Sequence, residues 1–134
     1  MGVVVKAFEE KGVKVPAPYE RIIKVLMAPD KHGISELTFT FALIYPHSQT
    51  DKHTHDRPEL IYVVSGRGEA TLGDKENIPL EPDIVFWAEA DEIHQVRNTG
   101  DEQMKLATVF IPAYTAEELT AGILKTAKDA QVNK

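Results

Sequence analysis

Short strand-like segments, each ended by a cluster of turn residues, occupy most of this 134-residue chain. Residues 36–45 form the clearest one, since Leu37, Phe39 and Phe41 alternate with mostly smaller or polar residues at the period of a strand. Further strands are predicted at residues 3–8, 19–27, 60–65, 69–72, 78–80, 84–87, 93–97 and 105–111. Closely spaced strands without intervening helices predict an all-β, antiparallel sandwich or barrel.

The last part of the chain changes to a helical pattern. Its TAEE sequence, beginning at Thr115, has the form of a capping box, and Leu119, Ile123 and Ala127 follow at helical spacing. A helix of about three turns is predicted over residues 115–130, although Gly122 in its middle is an unfavourable helix residue. Because no linker or repeat separates the segments, we predict a single domain over residues 1–134. It comprises N-terminal strands in 1–35, a barrel in about 36–112 and the C-terminal helix.

The composition excludes several kinds of site and partner. The chain contains no cysteine, so thiolate metal sites and disulfides are excluded, and His, Asp and Glu remain as the strong metal ligands. The net charge of −6 argues against a nucleic-acid partner, which needs a concentrated Lys/Arg surface. No apolar run approaches the ~20 residues that span a bilayer, and the first residues lack a signal-peptide pattern. We therefore expect a cytoplasmic protein without a membrane partner.

One segment, HTHDRPELIYVVSG, concentrates metal-binding residue types. Its first histidines, His53 and His55, are two positions apart, so in a strand both imidazoles point to the same face. The turn-forming sequence around Pro58 can reverse the chain and bring Glu59 beside them. His94, at the start of a later predicted strand, would add a third imidazole. These residues predict a metal centre formed by His53, His55, Glu59 and His94.

This arrangement resembles the cupin superfamily, in particular its small single-domain members. The first cupin motif, G(X)5HXH(X)3,4E(X)6G, matches His53, His55, Glu59 and Gly66 at every spacing. Its leading glycine is replaced by His47. The resemblance covers roughly residues 37–112 and implies the cupin fold, a double-stranded β-helix or jelly-roll barrel.

The second cupin motif, G(X)5PXG(X)2H(X)3N, is matched less completely. His94 and Asn98 stand at the correct spacing, whereas Glu89 and Asp91 occupy the places of the usual proline and glycine. We expect these departures to loosen the loop before His94 without removing the ligand.

The ligand set leaves the choice of metal open. Four protein ligands would fill the coordination sphere of a tetrahedral zinc ion, whereas an octahedral ion would keep two positions for a small molecule. We expect one divalent transition metal ion, with Fe, Mn or Ni favoured and Zn as a further option. The alternative is a polar network without metal. His32, in a Lys-His-Gly turn, is expected to be exposed.

The resemblance implies several activities and does not choose among them. We favour a metal-dependent enzyme of the dioxygenase, decarboxylase, isomerase or lyase type that acts on a small oxygenated molecule, with dioxygenase-like oxidoreductase chemistry included. The alternatives are a non-catalytic cupin that binds or senses a sugar or carboxylate, and a structural protein with an incidental metal. A charged side chain near the open metal positions would favour the enzyme. A transcription regulator is not expected, because cupin regulators carry a separate helix-turn-helix segment.

Residue types around the motifs suggest further roles, but no catalytic residue is assigned. Candidates for contact with the substrate or with the metal ligands are Arg57, Tyr45, His47, Gln49 and Gln95. The larger aromatic residues are expected in the core or at an interface: Trp87, Phe39, Phe41 and Tyr45. We expect Asn98 to make structural hydrogen bonds in a turn, and residues 89–92 to form a solvated turn.

The strand after Glu59 predicts a covered outer sheet face. If Glu59 points inward, Leu60, Tyr62 and Val64 point outward, yet a sheet exposed on one side normally shows polar residues there. The terminal helix, an N-terminal strand or a second subunit could cover this face. A homodimer is the preferred interpretation, because twofold association is the commonest assembly.

Overall fold

The computed structural model describes residues 2–132, which form two antiparallel sheets followed by a helix. A short 3-10 helix (Ala7–Glu9) precedes the first strand. The nine strands of the described residues are β1 (Val13–Val15), β2 (Arg21–Met27), β3 (Thr38–Ile44), β4 (Glu59–Ser65), β5 (Gly68–Leu72), β6 (Lys75–Leu80), β7 (Val85–Ala88), β8 (His94–Asn98) and β9 (Met104–Phe110). The helix α1 spans Ala116–Val132.

Six strands form the larger sheet in the order β1-β2-β3-β9-β4-β7, and three form the smaller sheet in the order β6-β5-β8. All strand pairs are antiparallel. Isolated bridges from Gln49 to Arg97 and from His53 to His94 attach the segment before β4 to the free edge of β8. The two layers thus wrap around one interior, and the predicted jelly-roll barrel with a C-terminal helix is confirmed.

The strand predicted at residues 3–8 is wrong. Val4 is 91 % exposed and Phe8 is 81 % exposed, and the first strand, β1, begins only at Val13. Three consecutive valines favour extended backbone, but a strand also needs a partner edge. β1 already occupies the edge of β2 in the larger sheet, so the segment before it stays outside the sheet.

In β3 the smaller residues face the interior of the barrel and the aromatic residues face outward, although hydropathy would favour the reverse. Thr38, Thr40 and Ala42 face the buried interior, while Phe39 and Phe41 lie half-buried on the outer face. The register aligns Thr40 with Thr108 of β9, and the two hydroxyls are hydrogen-bonded inside the barrel. Small polar side chains therefore line the interior, which leaves room for a cavity.

Helix α1 lies within two residues of the predicted range 115–130 at each end. Its 17 residues make nearly five turns where about three were expected. The capping box is confirmed: the amide of Thr115 donates to the Glu118 carboxylate at 2.7 Å, and the amide of Glu118 donates to the Thr115 hydroxyl at 3.1 Å. The carboxylate of Asp30 accepts the next two free amides, from Ala116 and Glu117. These acceptors also favour the positive end of the helix dipole, so the start of α1 is fixed to the β2–β3 connection.

The outer face of the larger sheet carries a continuous apolar surface. Leu60 pairs with Trp87 on one side and Val109 on the other, and Val109 pairs with Phe39. Trp87 remains 42 % exposed and the neighbouring Val85 remains 54 % exposed. Neither helix α1, which packs along β1, nor the N-terminal segment covers the β4–β7 part of this face. Within residues 2–132, no helix is long and apolar enough to cross a membrane.

Candidate metal centre and its cavity

The structure brings together all four residues predicted as metal ligands. His53 and His94 form the isolated bridge, with amide-to-carbonyl hydrogen bonds of 3.2 and 3.0 Å in the two directions. His55 lies in the loop that follows, and Glu59 is the first residue of β4. One ligand atom from each residue lies within 4.8 Å of the others. His53 and His55 lie in a loop that pairs with β8, and not in a strand as their spacing predicts.

Backbone carbonyls fix the orientation of two imidazoles. His53 donates from Nδ1 to the carbonyl of Asp51 at 2.8 Å, and His94 donates from Nδ1 to the carbonyl of Glu92 at 2.9 Å. Because a carbonyl only accepts, each Nδ1 carries a proton, and Nε2 is left as the ligand atom. Glu59 Oε1 lies 2.9 Å from Nε2 of His94 and 3.6 Å from Nε2 of His55. The side chains of His55, Glu59 and His94 therefore converge on one point.

Burial favours the neutral form of two of these histidines. It lowers the pKa of His55 to about 4 and also lowers the pKa of His53. Burial acts in the same direction on His94, but the hydrogen bond and charge of Glu59 outweigh it, so the pKa of His94 lies above its usual value. Since a metal binds the neutral imidazole, His55 is available as a ligand well below neutral pH, and the lowered pKa of His53 acts in the same direction.

The donor set fits a divalent transition ion. Two atoms bound to one ion at about 2.1 Å lie no more than about 4.2 Å apart, so the side chains need to close by less than about 1 Å. Three imidazoles and one carboxylate suit Fe, Mn, Ni, Cu or Zn. The arrangement alone does not select one of them.

The loop before His94 is held by hydrogen bonds although it lacks the usual proline and glycine. His47 and Asp91 adopt φ values of 60° and 64°, the left-handed conformation that the motif glycines supply more easily. The amide of Asp91 donates to the carbonyl of His55 at 2.7 Å. Asp91 tolerates this conformation better than most residues, and its amide ties the second motif to the first.

A cavity of about 460 Å³ adjoins the four ligands and extends through the barrel to α1. Its apolar walls include Ile23, Ala42, Ile61, Val96, Leu106 and Phe110. Its polar lining includes Arg21, Thr40, Asp51, Thr108, Tyr114 and Glu118. The helix closes one side with Leu119, Gly122, Ile123 and Thr126. The cavity has the size of a small-molecule site.

Comparison with known proteins decides the family. The family model of the cupin domain matches residues 40–110, more than half of the chain. The chain is a cupin. Its sequence is 32 % identical over 97 residues to L-ectoine synthase of Teredinibacter turnerae, covering 72 % of this chain and 70 % of the relative. L-ectoine synthase of Aliivibrio fischeri is 29 % identical over 97 residues, covering 72 % and 73 %.

Solved structures show the same fold at lower identity. A predicted oxalate decarboxylase from Thermotoga maritima superposes with a TM-score of 0.74 at 21 % identity, covering 82 % of the cupin and 99 % of that chain. Ectoine synthase from P. lautus superposes with a TM-score of 0.71 at 21 % identity, covering 90 % and 86 %. These likenesses support the double-stranded β-helix and leave the activity open.

Four residues that the sequence suggested for contact with the substrate or the metal ligands do not line the cavity. His47 pairs with Asp101 on the surface at 2.8 Å, and Gln95 donates to the carbonyl of Thr50 at 2.7 Å. Gln49 forms the bridge to Arg97. Tyr45 and Gln49 are both absent from the residues that surround the cavity. None of these four residues reaches the cavity.

Arg57 acts on the cavity through a neighbour. Its guanidinium lies 3.7 Å from the centroid of the Tyr114 ring and donates to the carbonyl of Ala113 at 2.6 Å. Tyr114 in turn donates from its hydroxyl to Asp56 at 2.6 Å, and its ring lies beside His55 at 6.0 Å between centroids. Arg57 therefore holds a wall residue of the cavity against the metal-ligand loop.

Two expectations on residues away from the cavity are confirmed. Asn98 donates from its amide to the carbonyls of Ile44, Tyr45 and Glu102, so its role is structural. His32 is exposed. The aromatic residues Phe39, Phe41 and Trp87 lie on the outer sheet face and not in the core, and their part in an interface stays a prediction.

Sequence reasoning missed the charged and hydroxyl groups of the cavity. Arg21 begins β2 and is 4 % exposed, and Thr40 and Thr108 come from neighbouring strands. One signal was present: in RIIKVLM, Arg21 shares a face with Ile23 and Val25. A single charge on an otherwise apolar strand face indicates a buried functional group.

Proposed function

We propose that this cupin is a metal-dependent enzyme that acts on a small oxygen-rich molecule bound in the cavity. The observation that carries the proposal is the position of the cavity, which adjoins the ligand set and contains charged side chains as well as apolar walls. A structural protein with an incidental metal has no need of such a space. A binder with an entirely apolar pocket does not explain Arg21 and Asp51 in the lining.

His53, His55, Glu59 and His94 would hold the ion, and the ion would supply Lewis acidity to an oxygen of the substrate. The carbonyls of Asp51 and Glu92 keep the imidazoles of His53 and His94 in the ligating orientation. Phe110 packs edge-to-face against His55, with centroids 4.9 Å apart. The apolar walls lower the local polarity around a bound substrate, which strengthens polar interactions inside the cavity.

The sequence relatives favour non-oxidative chemistry. The curated relatives of the cupin are named L-ectoine synthase, a synthase and not an oxidoreductase. We therefore place lyase, isomerase or related bond-forming reactions ahead of dioxygenase chemistry. The binding or sensing alternative predicts ligand affinity without turnover, and the same assay separates it from the enzyme.

The test is turnover by defined metal forms. Protein loaded separately with Fe, Mn, Ni or Zn is incubated with hydroxy acids, keto acids, diketones and the substrate of L-ectoine synthase, and products are followed by mass and oxygen uptake. We expect at least one compound to be converted without oxygen uptake, and Glu59→Gln to abolish conversion. Tight binding of a panel compound without conversion by any metal form would contradict the enzyme and support the binder.

A matched pair of histidine variants controls for indirect effects. His53→Ala removes a predicted ligand, whereas His32→Asn replaces an exposed histidine outside the cavity. Asn tolerates the left-handed backbone at position 32, where φ is 63°. Turnover is expected to be lost in the first variant and retained in the second. Equal loss in both would indicate that the effect does not come from the site.

A further inference from the structure

Arg21 is a buried cation at the wall of the cavity. It is the first residue of β2, its side chain points into the barrel, and it is 4 % exposed. Among the residues that line the cavity, all in the described part of the chain, it is the one Lys or Arg. Placing a guanidinium out of water is costly unless its charge and N–H groups find partners.

Few of the N–H donors of this guanidinium have a hydrogen-bond partner within the protein. Arg21 donates from Nη1 to the carbonyl of Tyr19 at 3.0 Å. Its nearest carboxylate is Asp51, with Nη2 and Oδ1 3.9 Å apart, which is too long for a hydrogen bond. A guanidinium has five N–H donors, and within residues 2–132 Arg21 makes one hydrogen bond. Most of its donors are free for a ligand in the cavity.

We propose that Arg21 binds a carboxylate of the substrate, which makes the substrate a small carboxylic acid with a second oxygen function directed at His53, His55, Glu59 and His94. This inference rests on the proposed function, since it names the substrate class of the same cavity. The planar fork of a guanidinium matches a carboxylate in a bidentate manner. Arg21 is thereby a specificity-determining residue of the cavity.

The surrounding charges favour a carboxylate over a phosphate. Asp51, Glu59 and the exposed Glu118 also line the cavity. With a divalent ion bound, these three carboxylates balance the ion and Arg21, so each further negative charge on a ligand is unfavourable. Phosphate sites normally add further cations or a row of backbone amides. A singly charged carboxylate is the anion that this balance accommodates.

The backbone carbonyl and the carboxylate of Asp51 lie beside different residues, which makes the proposal testable. Its carbonyl orients His53 at 2.8 Å, while its carboxylate lies near Arg21 without a hydrogen bond. In Asp51→Asn the carbonyl is retained and the competing negative charge is removed. This variant is expected to bind carboxylates more tightly. If Arg21 contacts the carboxylate, the gain is larger with Arg21 present than in Arg21→Met, where the lost charge acts on the ligand alone.

The experiment uses zinc-loaded protein and a matched pair of probes studied by titration calorimetry. One probe is the monohydroxamate of succinic acid, with a metal-binding head and a free carboxylate; the other carries a primary amide in place of that carboxylate. The glutaric homologues test a longer span. We expect the carboxylate probe to bind at least tenfold more tightly to the wild type, and Arg21→Met to remove this preference while retaining the metal. We expect Asp51→Asn to enlarge the preference.

Several outcomes would overturn the proposal. They are a wild type without preference for the carboxylate probe and an Arg21→Met variant that keeps the wild-type preference. Should Arg21→Met fail to fold or lose its metal, the double variant Arg21→Met/Asp51→Asn removes both charges together. A preference that survives in this double variant also overturns the assignment.

Binding and turnover separate this inference from the proposed function. The calorimetric preference depends on equilibrium binding to a zinc form, so it persists even if no metal form shows catalysis. Conversely, turnover of a neutral compound that is unaffected by Arg21→Met would leave the enzyme in place and overturn the carboxylate assignment.

Discussion

His53 and His94 lie side by side as an isolated antiparallel bridge, and their imidazole rings are 4.2 Å apart between centroids. Forty residues of chain separate them in the sequence, yet each amide donates to the carbonyl of the other. This short ladder joins the two cupin motifs directly through the backbone. The ligand geometry is therefore built into the pairing of the loop with β8, and it does not depend on an ion to bring the two histidines together.

The metal-free protein should lose stability as the pH falls from about 6.5 to about 4. The pKa of His55 is about 4 in the folded protein and about 6.5 when unfolded. The unfolded chain therefore binds more protons in this window, so stability is present above the window and is lost toward its lower end. We expect a loss of about 2 kcal/mol from His55, reduced from the full linkage value because the ring is partly exposed.

Urea titrations of metal-free protein between pH 4 and 7 measure this loss. The matched variant His55→Gln lacks the titrating group, so its stability should fall less steeply over the same window. His94 has its pKa raised and contributes in the opposite sense in both proteins. Identical slopes for the wild type and His55→Gln would contradict the assignment to His55.

Replacing Gly122 by alanine should stabilise the protein. Gly122 lies within α1, and a Cβ at this position would meet no atom within 4 Å. Alanine is favoured over glycine inside a helix by about 0.5–1 kcal/mol, and thermal or urea unfolding measures the gain. A lower stability of Gly122→Ala would show that the helix conflicts with its surroundings.

The same position tests the cavity. Gly122 is exposed and borders the cavity, so Gly122→Leu would narrow the cavity beside α1 without replacing Arg21 or a metal ligand. We expect this variant to retain its metal while the calorimetric probes bind at least tenfold more weakly. Unchanged binding of both probes would place the ligand away from α1.

Arg57 and Tyr114 should be energetically coupled. Their cation–π contact of 3.7 Å predicts a coupling free energy of about 1 kcal/mol in a double-mutant cycle of Arg57→Gln and Tyr114→Leu. The measurement is the free energy of unfolding of the four proteins. Additive effects would indicate that the stacking holds neither the loop nor the cavity wall.

The outer face of the larger sheet should form a homodimer interface. Trp87, Leu60, Val109 and Phe39 lie in one row across β7, β4, β9 and β3, and antiparallel sheets normally show polar residues on an exposed face. We expect sedimentation equilibrium to give twice the chain mass, and Trp87→Glu to give monomers. Phe8→Glu is the control, because Phe8 is exposed but lies outside this row. A monomeric wild type at micromolar concentration would contradict the prediction.

Local motifs explain why the metal ligands were predictable from the sequence and the rest of the cavity was not. His53, His55 and Glu59 follow one another within a few residues, so their spacing carries the information. Arg21 and Thr108 reach the cavity only through the pairing of β2 and β9 with β3. The local pattern of β2 marks Arg21 as a charge on an apolar strand face, but the register that brings it to the cavity is a property of the folded sheet.

The alternation of residues along a strand also predicted its two faces, but it did not determine which face lies inside the barrel. In β3 the phenylalanines favour a buried face by hydropathy, but the structure places Thr38 and Thr40 inside, and Thr40 borders the cavity. A barrel that encloses a ligand needs small polar residues in its interior and can leave apolar residues for a partner outside. The valines near the N-terminus do not form a strand, because a high strand propensity does not provide a neighbouring strand with a free edge to pair with.

The central claim is that His53, His55, Glu59 and His94 bind one metal ion. The direct measurement is elemental analysis by plasma mass spectrometry of protein purified at neutral pH without added metal or chelator, together with His53→Ala and the control His32→Asn. We predict close to one transition-metal ion per chain in the wild type and the control, and less than a tenth of that in His53→Ala, on the scale of affinity that a lost ligand costs. A wild type without metal, or a His53→Ala variant with the wild-type content, would contradict the account.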